Sequence, residues 1–200
     1  MPQFAEFLEL IALSNGNEMS YQSLSNDCGA SPNTIKNYIE ILEDTLLVFK
    51  LTAFTKTKKR KAITRAKLYF FDLGVTNSLA NRREILPESS AFGTSLEHFI
   101  ILEVRAYLSY SRSNLKMHYW RSTSQFEVDL IIGNKWALEI KSSKAIHDGQ
   151  LKGIRALKEE GVIEKFGVVC RERQNRLTSD GIHIFPWSEF LSKLWNGEIV

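Results

Sequence analysis

Apolar positions in the first third of the chain recur at helical spacing. Phe4, Phe7, Leu8 and Ile11 fall on one stripe of a helix predicted over residues 2–13, and Asn15-Gly16-Asn17 ends it. Ser20 is placed to cap a second, short helix with Tyr21, Leu24 and Cys28 turned inward, and Gly29 terminates it. Ser31-Pro32 supplies an N-cap and a first-turn proline for a third helix running to about residue 44. Strand-like runs follow at 47–54 and 67–72, and a short helix is expected at 76–81.

Two short helices about a glycine-containing turn match a helix-turn-helix, and the two strands after them complete the order of a winged helix over residues 1–85. Residues 82–90 have the composition of a linker. Beyond it the pattern reads helix (95–110), strands (116–121, 126–132, 136–142), helix (149–160), strands (166–171, 182–185) and helix (188–195). That order predicts an α/β core over residues 90–200, a mixed sheet flanked by helices. Phe99, Leu102 and Ala106 are the expected core stripe of its first helix. The apolar run Phe166-Gly167-Val168-Val169-Cys170 marks a buried strand.

Composition is that of an ordinary globular protein, with 44% apolar and 24% charged residues. No apolar run is long enough to span a bilayer, and the N-terminus lacks the basic and small-residue features of a signal peptide, so no membrane partner and a cytoplasmic setting are expected. Cys28 and Cys170 join no zinc spacing and read as buried thiols. His118, His147 and His183 have no Ser or Cys partner at a hydrolase spacing.

The net charge of +3 says little, but its distribution says more. From Lys50 to Lys67 the charged residues are all basic, and Lys56, Lys58, Lys59, Arg60 and Lys61 cluster where the wing is predicted. Such a run is an electrostatic footprint for a phosphate backbone, and equally the solvated loop of many proteins. On the third helix, Asn33, Thr34, Lys36 and Asn37 lie near the N-terminus, where a recognition helix meets DNA. Glu40, Glu43 and Asp44 further along oppose that role, and winged helices also dock proteins.

The chemistry concentrates in Phe126-Glu127-Val128-Asp129-Leu130-Ile131-Ile132 and Lys135-Trp136-Ala137-Leu138-Glu139-Ile140-Lys141, two strands about Gly133-Asn134. Glu139 and Lys141 share a face by alternation. A two-residue turn would set Asp129 against Leu138 and send the acids to opposite faces. A loop of odd length, such as Gly133 to Lys135, sets Asp129 against Glu139 and Leu130 against Leu138, and this register, reached by such a loop or by a bulge in the strand pair, is the expected one. Paired carboxylates beside a lysine are what a metal-dependent phosphodiesterase requires. The bland alternative is a pair of amphipathic strands. Arg121 and Glu127 are candidates to steady a phosphate or to pair across the sheet, and Gln150 to reach the site from the next helix.

Asp129 with Glu139-Ile140-Lys141 resembles the PD-(D/E)XK nuclease signature, and the helix from Ser95 to Glu103 is similar to the one that supplies that superfamily's first acid, here Glu97. Together with Gly93 to Glu103, Tyr119-Trp120-Arg121 and Lys67-Leu68-Tyr69-Phe70-Phe71-Asp72-Leu73-Gly74, most of the chain resembles the C-terminal domain of unknown function of bacterial and archaeal AAA-type ATPases. Ala66 stands where that family usually has proline. The resemblance implies a restriction-endonuclease-like core and a site of Glu97, Asp129, Glu139 and Lys141. Asp129, Glu139 and Glu97 would hold Mg²⁺ or Mn²⁺. It also implies an ATPase partner, and this chain has no phosphate-binding loop of its own. Two functions stand: a nuclease acting on nucleic acid, DNA being the expected kind, and a catalytically silent DNA- or protein-binding module serving an ATPase.

Overall fold

The computed structural model of the chain describes residues 2–200; Met1, where the first predicted domain begins, lies outside them. The fold is mixed α/β, with seven α-helices and eight strands among the described residues. It divides into two compact units, Met1–Leu51 with Arg65–Leu86, and Thr52–Thr64 with Pro87–Val200. No helix among the described residues is long and apolar enough to cross a membrane.

In the first unit the helices start where side chains can satisfy their free amides. The Ser20 hydroxyl accepts from Ser23 N at 3.3 Å and opens α2 (Tyr21–Cys28), after α1 (Pro2–Leu13). Ser31 accepts from Thr34 N at 3.1 Å and opens α3 (Pro32–Asp44) with Pro32 in its first turn. Phe7, Ile11, Leu24, Cys28, Ile35, Ile39 and Leu42 are buried together, with Phe4, Leu8 and Tyr21 packed half-buried around them. Residues 48–51 of β1 (Val48–Ala53) pair antiparallel with β2 (Lys67–Phe70), and the buried Asn15 carboxamide accepts from Phe70 N at 2.9 Å. The Asn15 to Asn17 break therefore fastens α1 to the hairpin. The last helix of this unit is α4 (Leu73–Leu79), capped by Asp72 rather than starting at 76.

The second unit is a sheet with helices packed on it. Residues 52 and 53 of β1 pair parallel with β3 (Met117–Arg121), which is followed across the sheet by β4 (Glu127–Ile132), β5 (Trp136–Ile140), β6 (Lys165–Cys170), β8 (Ile182–Pro186) and the short edge strand β7 (Arg176–Leu177). β3, β4 and β5 run antiparallel, whereas β5, β6 and β8 are parallel. The first helix of the unit, α5 (Ser90–Tyr110), begins at the Ser89 cap, five residues ahead of the expected start. Its buried apolar positions are Leu96, Ile100, Ile101, Val104 and Leu108, beside buried Ser95 and His98, whereas Phe99, Leu102 and Ala106 are only half-buried. The expected stripe is offset because a helix with apolar residues around most of its surface has no single readable face.

Between β5 and β6 the chain makes one 3₁₀ turn (Asp148–Leu151) and then α6 (Lys152–Lys158), a shorter helix than the pattern suggested. Gly153 lets α6 lie against β4, since a Cβ there would come within 2.0 Å of the Glu127 carbonyl oxygen. The final helix is α7 (Trp187–Trp195).

The basic segment is placed differently from the sequence reading. Residues 52–64 belong with the second unit, where Ala62 bridges to Ser122 and the amides of Lys58 and Lys59 donate to the buried Glu160 carboxylate at 2.7 and 2.6 Å. Arg60 reaches Glu160 at 3.2 Å and Glu159 at 2.5 Å, and its guanidinium lies over the Phe126 ring. Burial raises the Glu160 pKa, but the Lys59 and Lys58 amides and then Arg60 outweigh it and hold the carboxyl below its usual range. Arg60 is thus a structural cation rather than one of five open wing charges. The run joins the paired strands β1 and β2 and lies as a strap against α6.

Candidate active site

The β4–β5 connection contains three residues, Gly133 to Lys135. Leu130 pairs with Leu138, Ile131 with Ala137 and Ile132 with Trp136. Gly133 occupies the left-handed region at φ +60, which an L side chain rarely adopts. Continued one position beyond the last pair, this register sets Asp129 opposite Glu139, as the odd-length loop required.

A second device acts on Asp129. Between the pairs His118–Ile131 and Trp120–Val128, β3 has one residue, Tyr119, and β4 has two, Asp129 and Leu130. This is a β-bulge, and bulges re-aim side chains beside functional sites. Val128 and Ile131, three apart, both enter the core that contains Ile154 and Leu157, which strict alternation would forbid. The Asp129 carboxylate is buried, and its Oδ2 accepts from Ile140 N at 2.7 Å. A side chain here supplies an acceptor just beyond the regular ladder.

Glu139 is the penultimate residue of β5 and is also buried. Its Oε1 lies 2.5 Å from Lys141 Nζ, while the buried Oε2 has no hydrogen-bond partner among the described residues. Burial first, then the Asp129 charge, pushes the Glu139 carboxyl well above its usual range, and Lys141 opposes both. For Lys141, burial works against the ammonium, but Glu139 and Asp129, with a further contribution from Glu97, hold its pKa above the ordinary lysine value. Glu97, half-buried on α5, therefore acts electrostatically on the group. Among the described residues no three His, Cys, Asp or Glu side chains converge as a metal cage.

The donor set nevertheless suits a hard divalent cation. Two buried carboxylates supply oxygen, and one oxygen is desolvated with nothing to bind. Mg²⁺ is commonly held by one or two carboxylates, its remaining positions filled by water and substrate phosphate, so a closed cage is not needed.

The flanking candidates divide. Arg121 and Glu127 are cross-strand partners, with Nη1 and Oε2 3.7 Å apart, and the arginine also donates to Gln125 at 2.6 Å. Gln150 does not reach the carboxylates. Its Oε1 accepts from His147 N at 3.0 Å and its Nε2 donates to Ser143 Oγ at 2.8 Å, so both ends of the amide are used in shaping the loop after β5. On the first unit Asn33, Lys36 and Asn37 are exposed, Lys36 being 3.7 Å from Glu40, while the Thr34 hydroxyl lies 2.9 Å from Ser31 Oγ within the cap. Lys56, Lys58, Lys59 and Lys61 are exposed on the strap. A bulge is expected from the sequence only as an alternative within the β4–β5 pair; its place between β3 and β4 and the Ile140 amide bond are not, and the apolar spacing of Val128 and Ile131 is their one trace in the sequence.

Fold and site together define a two-unit α/β protein with a buried carboxylate pair and a lysine at one end of its sheet. Residues 92–190 match the family described as Domain of unknown function (DUF4143), and residues 1–85 match Domain of unknown function (DUF8612). An uncharacterized protein of Mycobacterium tuberculosis and one of Mycobacterium bovis are each 26% identical over 137 residues. The match covers 66% of this chain and 30% of each relative, so the chain spans less than a third of the length of these curated relatives. No solved structure matches the chain.

Proposed function

We propose that the second unit is a nuclease-like phosphodiesterase in which Asp129 and Glu139 hold Mg²⁺ or Mn²⁺, with Glu97 acting directly or through water. The observation that carries this reading is the buried, unpartnered Oε2 of Glu139, in a place where burial and Asp129 both disfavour its charge. A protein gains nothing in stability from such a pair, whereas a bound cation would offset both penalties. When bound, the ion supplies Lewis acidity and an acidified water. The chain's own residues do the rest. The Ile140 amide orients Asp129, and the Lys141 ammonium is positioned to meet developing negative charge on a phosphate. The first unit would hold nucleic acid, DNA being the expected kind, through Asn33, Lys36 and Asn37 in a winged-helix-like arrangement. An AAA-type ATPase partner is part of the proposal, on the strength of the family resemblance and of relatives longer than this chain.

The test is cleavage of single- and double-stranded DNA and RNA in Mg²⁺ or Mn²⁺. Lys141→Ala should still bind metal and nucleic acid while the rate falls by roughly 10²-fold, the scale for one lost electrostatic stabiliser. A wild type inactive on every substrate, also with its ATPase partner present, overturns the reading.

One observation favours a catalytically silent module instead. Lys141 Nζ already sits 2.5 Å from Glu139, a cation on the carboxylate that the metal would claim. That reading expects nucleic-acid or protein binding without cleavage, and no change in melting temperature on adding Mg²⁺.

A further inference from the structure

Beyond Lys141 the chain enters a hollow of about 780 Å³ that the proposed chemistry does not use. Its walls begin where β5 and β6 leave the sheet. Lys141 N donates to Val169 O at 2.9 Å and Arg171 N to Ser143 O at 3.0 Å, so the two strand exits run side by side. Lys144 lies three residues past Lys141, and Arg171 directly follows β6. The hollow therefore lies at the same end of the sheet as Glu139 and Lys141.

Its lining is basic. Lys144, Arg171, Arg173 and Arg176 face one acid, Glu172, a balance of four positive charges to one negative. Glu172 is fully engaged, accepting from Arg176 Nη2 at 2.8 Å and from Ile146 N at 2.7 Å. Arg171 is held in place over the Phe92 ring and donates to Pro87 O at 2.9 Å. Lys144 and Arg171 share Glu88, an exposed carboxylate 2.8 Å from the lysine and 3.4 Å from the arginine, and such surface pairs yield readily to a stronger anion. Arg173 is exposed and makes no ion pair among the described residues. On the same wall Trp187, the first residue of α7, is 40% exposed and braced edge-on by Phe99.

We propose that this hollow is the track for a single-stranded segment of the nucleic-acid substrate, with Trp187 stacking on a base and Lys144, Arg171 and Arg173 contacting its phosphates. The inference rests on the phosphodiesterase reading for the chemistry beside it. Basic side chains following a backbone, next to an aromatic face, form the combination that binds single strands. An indole stacks only on a base whose face is free, and in a duplex those faces are covered by neighbouring pairs. A small-metabolite pocket would be mostly apolar, and a protein-docking patch would have an apolar centre. Here Ala145, Ile146 and Trp187 are the apolar residues among ten lining positions.

The test uses the full chain in EDTA, which separates binding from cleavage. Labelled oligothymidylate and a duplex of equal length are titrated by fluorescence polarisation and by tryptophan quenching. The single strand should bind tighter. Trp187→Ala should weaken it by about 10-fold, within the range for one stacked base, and Trp187→Phe should restore most of that loss. Lys144→Ala with Arg173→Ala should flatten the salt dependence by about 0.7 per lost phosphate contact. Equal affinity for the duplex, or a Trp187→Ala variant that folds as the wild type and binds as tightly, overturns the track. Cleavage in Mg²⁺ that is unaffected by Trp187→Ala also sinks it and leaves the phosphodiesterase reading intact. Single-strand binding with the expected variant pattern but no metal-dependent cleavage keeps the track and removes the phosphodiesterase.

Discussion

The Asp129 carboxylate accepts a hydrogen bond from the backbone amide of Ile140 at 2.7 Å, joining the two strands of the site just past their last regular pair, Leu130 with Leu138. The same side chain thus completes the fold and, in the proposed reading, binds metal. Two substitutions separate these roles. Asp129→Asn keeps a carbonyl oxygen for the amide, whereas Asp129→Ala leaves a buried N–H unpaired at about 1–3 kcal/mol. Urea unfolding should show a clear loss for Ala and little for Asn, while calorimetric titration with Mn²⁺ should show weakened binding in both. An Asn variant that binds Mn²⁺ like the wild type would remove Asp129 from the metal site.

The strap separates its own charges in the same way. Lys58 and Lys59 bind Glu160 through their backbone amides, which leaves their exposed side chains to solvent or to phosphate. Arg60 instead spends its side chain on Glu159, Glu160 and the Ala156 carbonyl. The double variant Lys58→Ala with Lys59→Ala should melt at the wild-type temperature and, if the strap touches DNA, flatten the salt dependence of binding by up to about two units. Arg60→Ala should lower the melting temperature. A double variant with unchanged DNA binding would return those lysines to the status of solvated surface.

What the sequence makes legible here is what short-range chemistry dictates. Ser20 and Ser31 announce helix starts because a hydroxyl in that position satisfies free amides whatever the rest of the fold does. The odd-length turn at Gly133 was readable because only it sets Leu130 against Leu138 and keeps the apolar face whole. The bulge at Asp129 was not, since it depends on how β3 pairs on the other side, through Tyr119. The place of Arg60 is hidden for a related reason: charge density marks a stretch that meets anions but not which anion each cation takes, and Glu160 is a hundred residues away. Gln150 turns to His147 and Ser143 because it sits in a 3₁₀ turn, where a helix is expected from the sequence. Three arginines within six residues after a buried strand, Arg171, Arg173 and Arg176, are the sequence's trace of the basic hollow.

Gly153 gives a packing prediction. A methyl group there would meet the Glu127 carbonyl oxygen at 2.0 Å, and backbone cannot swing aside as a flexible side chain does. Helix propensity alone favours Gly153→Ala by somewhat under about 1 kcal/mol. Overpacking should win, with a net loss of roughly 1–3 kcal/mol or more as α6 is pushed from β4. Since Glu127 leads into the strand of Asp129, metal affinity should fall with stability. Urea unfolding measures the first, and a Gly153→Ala variant as stable as the wild type would contradict the close approach.

Asp180 supplies the pH dependence. Its carboxylate accepts from Arg155 Nε at 2.8 Å and from Thr178 Oγ1 at 2.7 Å, tying α6 to the turn before β8. The hydrogen bond from Arg155, then that from Thr178, holds the carboxyl down at about 2, from an ordinary value of 3.8. Because the folded pKa is depressed, the unfolded chain takes up the proton first as pH falls. The stabilisation is therefore fully present above about pH 3.8 and is lost progressively on the way down to about 2. Asp180→Asn should lower the melting temperature at neutral pH, where the wild type holds the full ion pair, and the gap between the two proteins should narrow below about pH 3.8. Arg155 also contacts Asp148 at 3.0 Å, but that carboxylate is 88% exposed and substitutes poorly for Asp180. A gap that stays constant from neutral pH into acid would show that the Asp180 charge contributes nothing to stability and that the asparagine acts through packing alone.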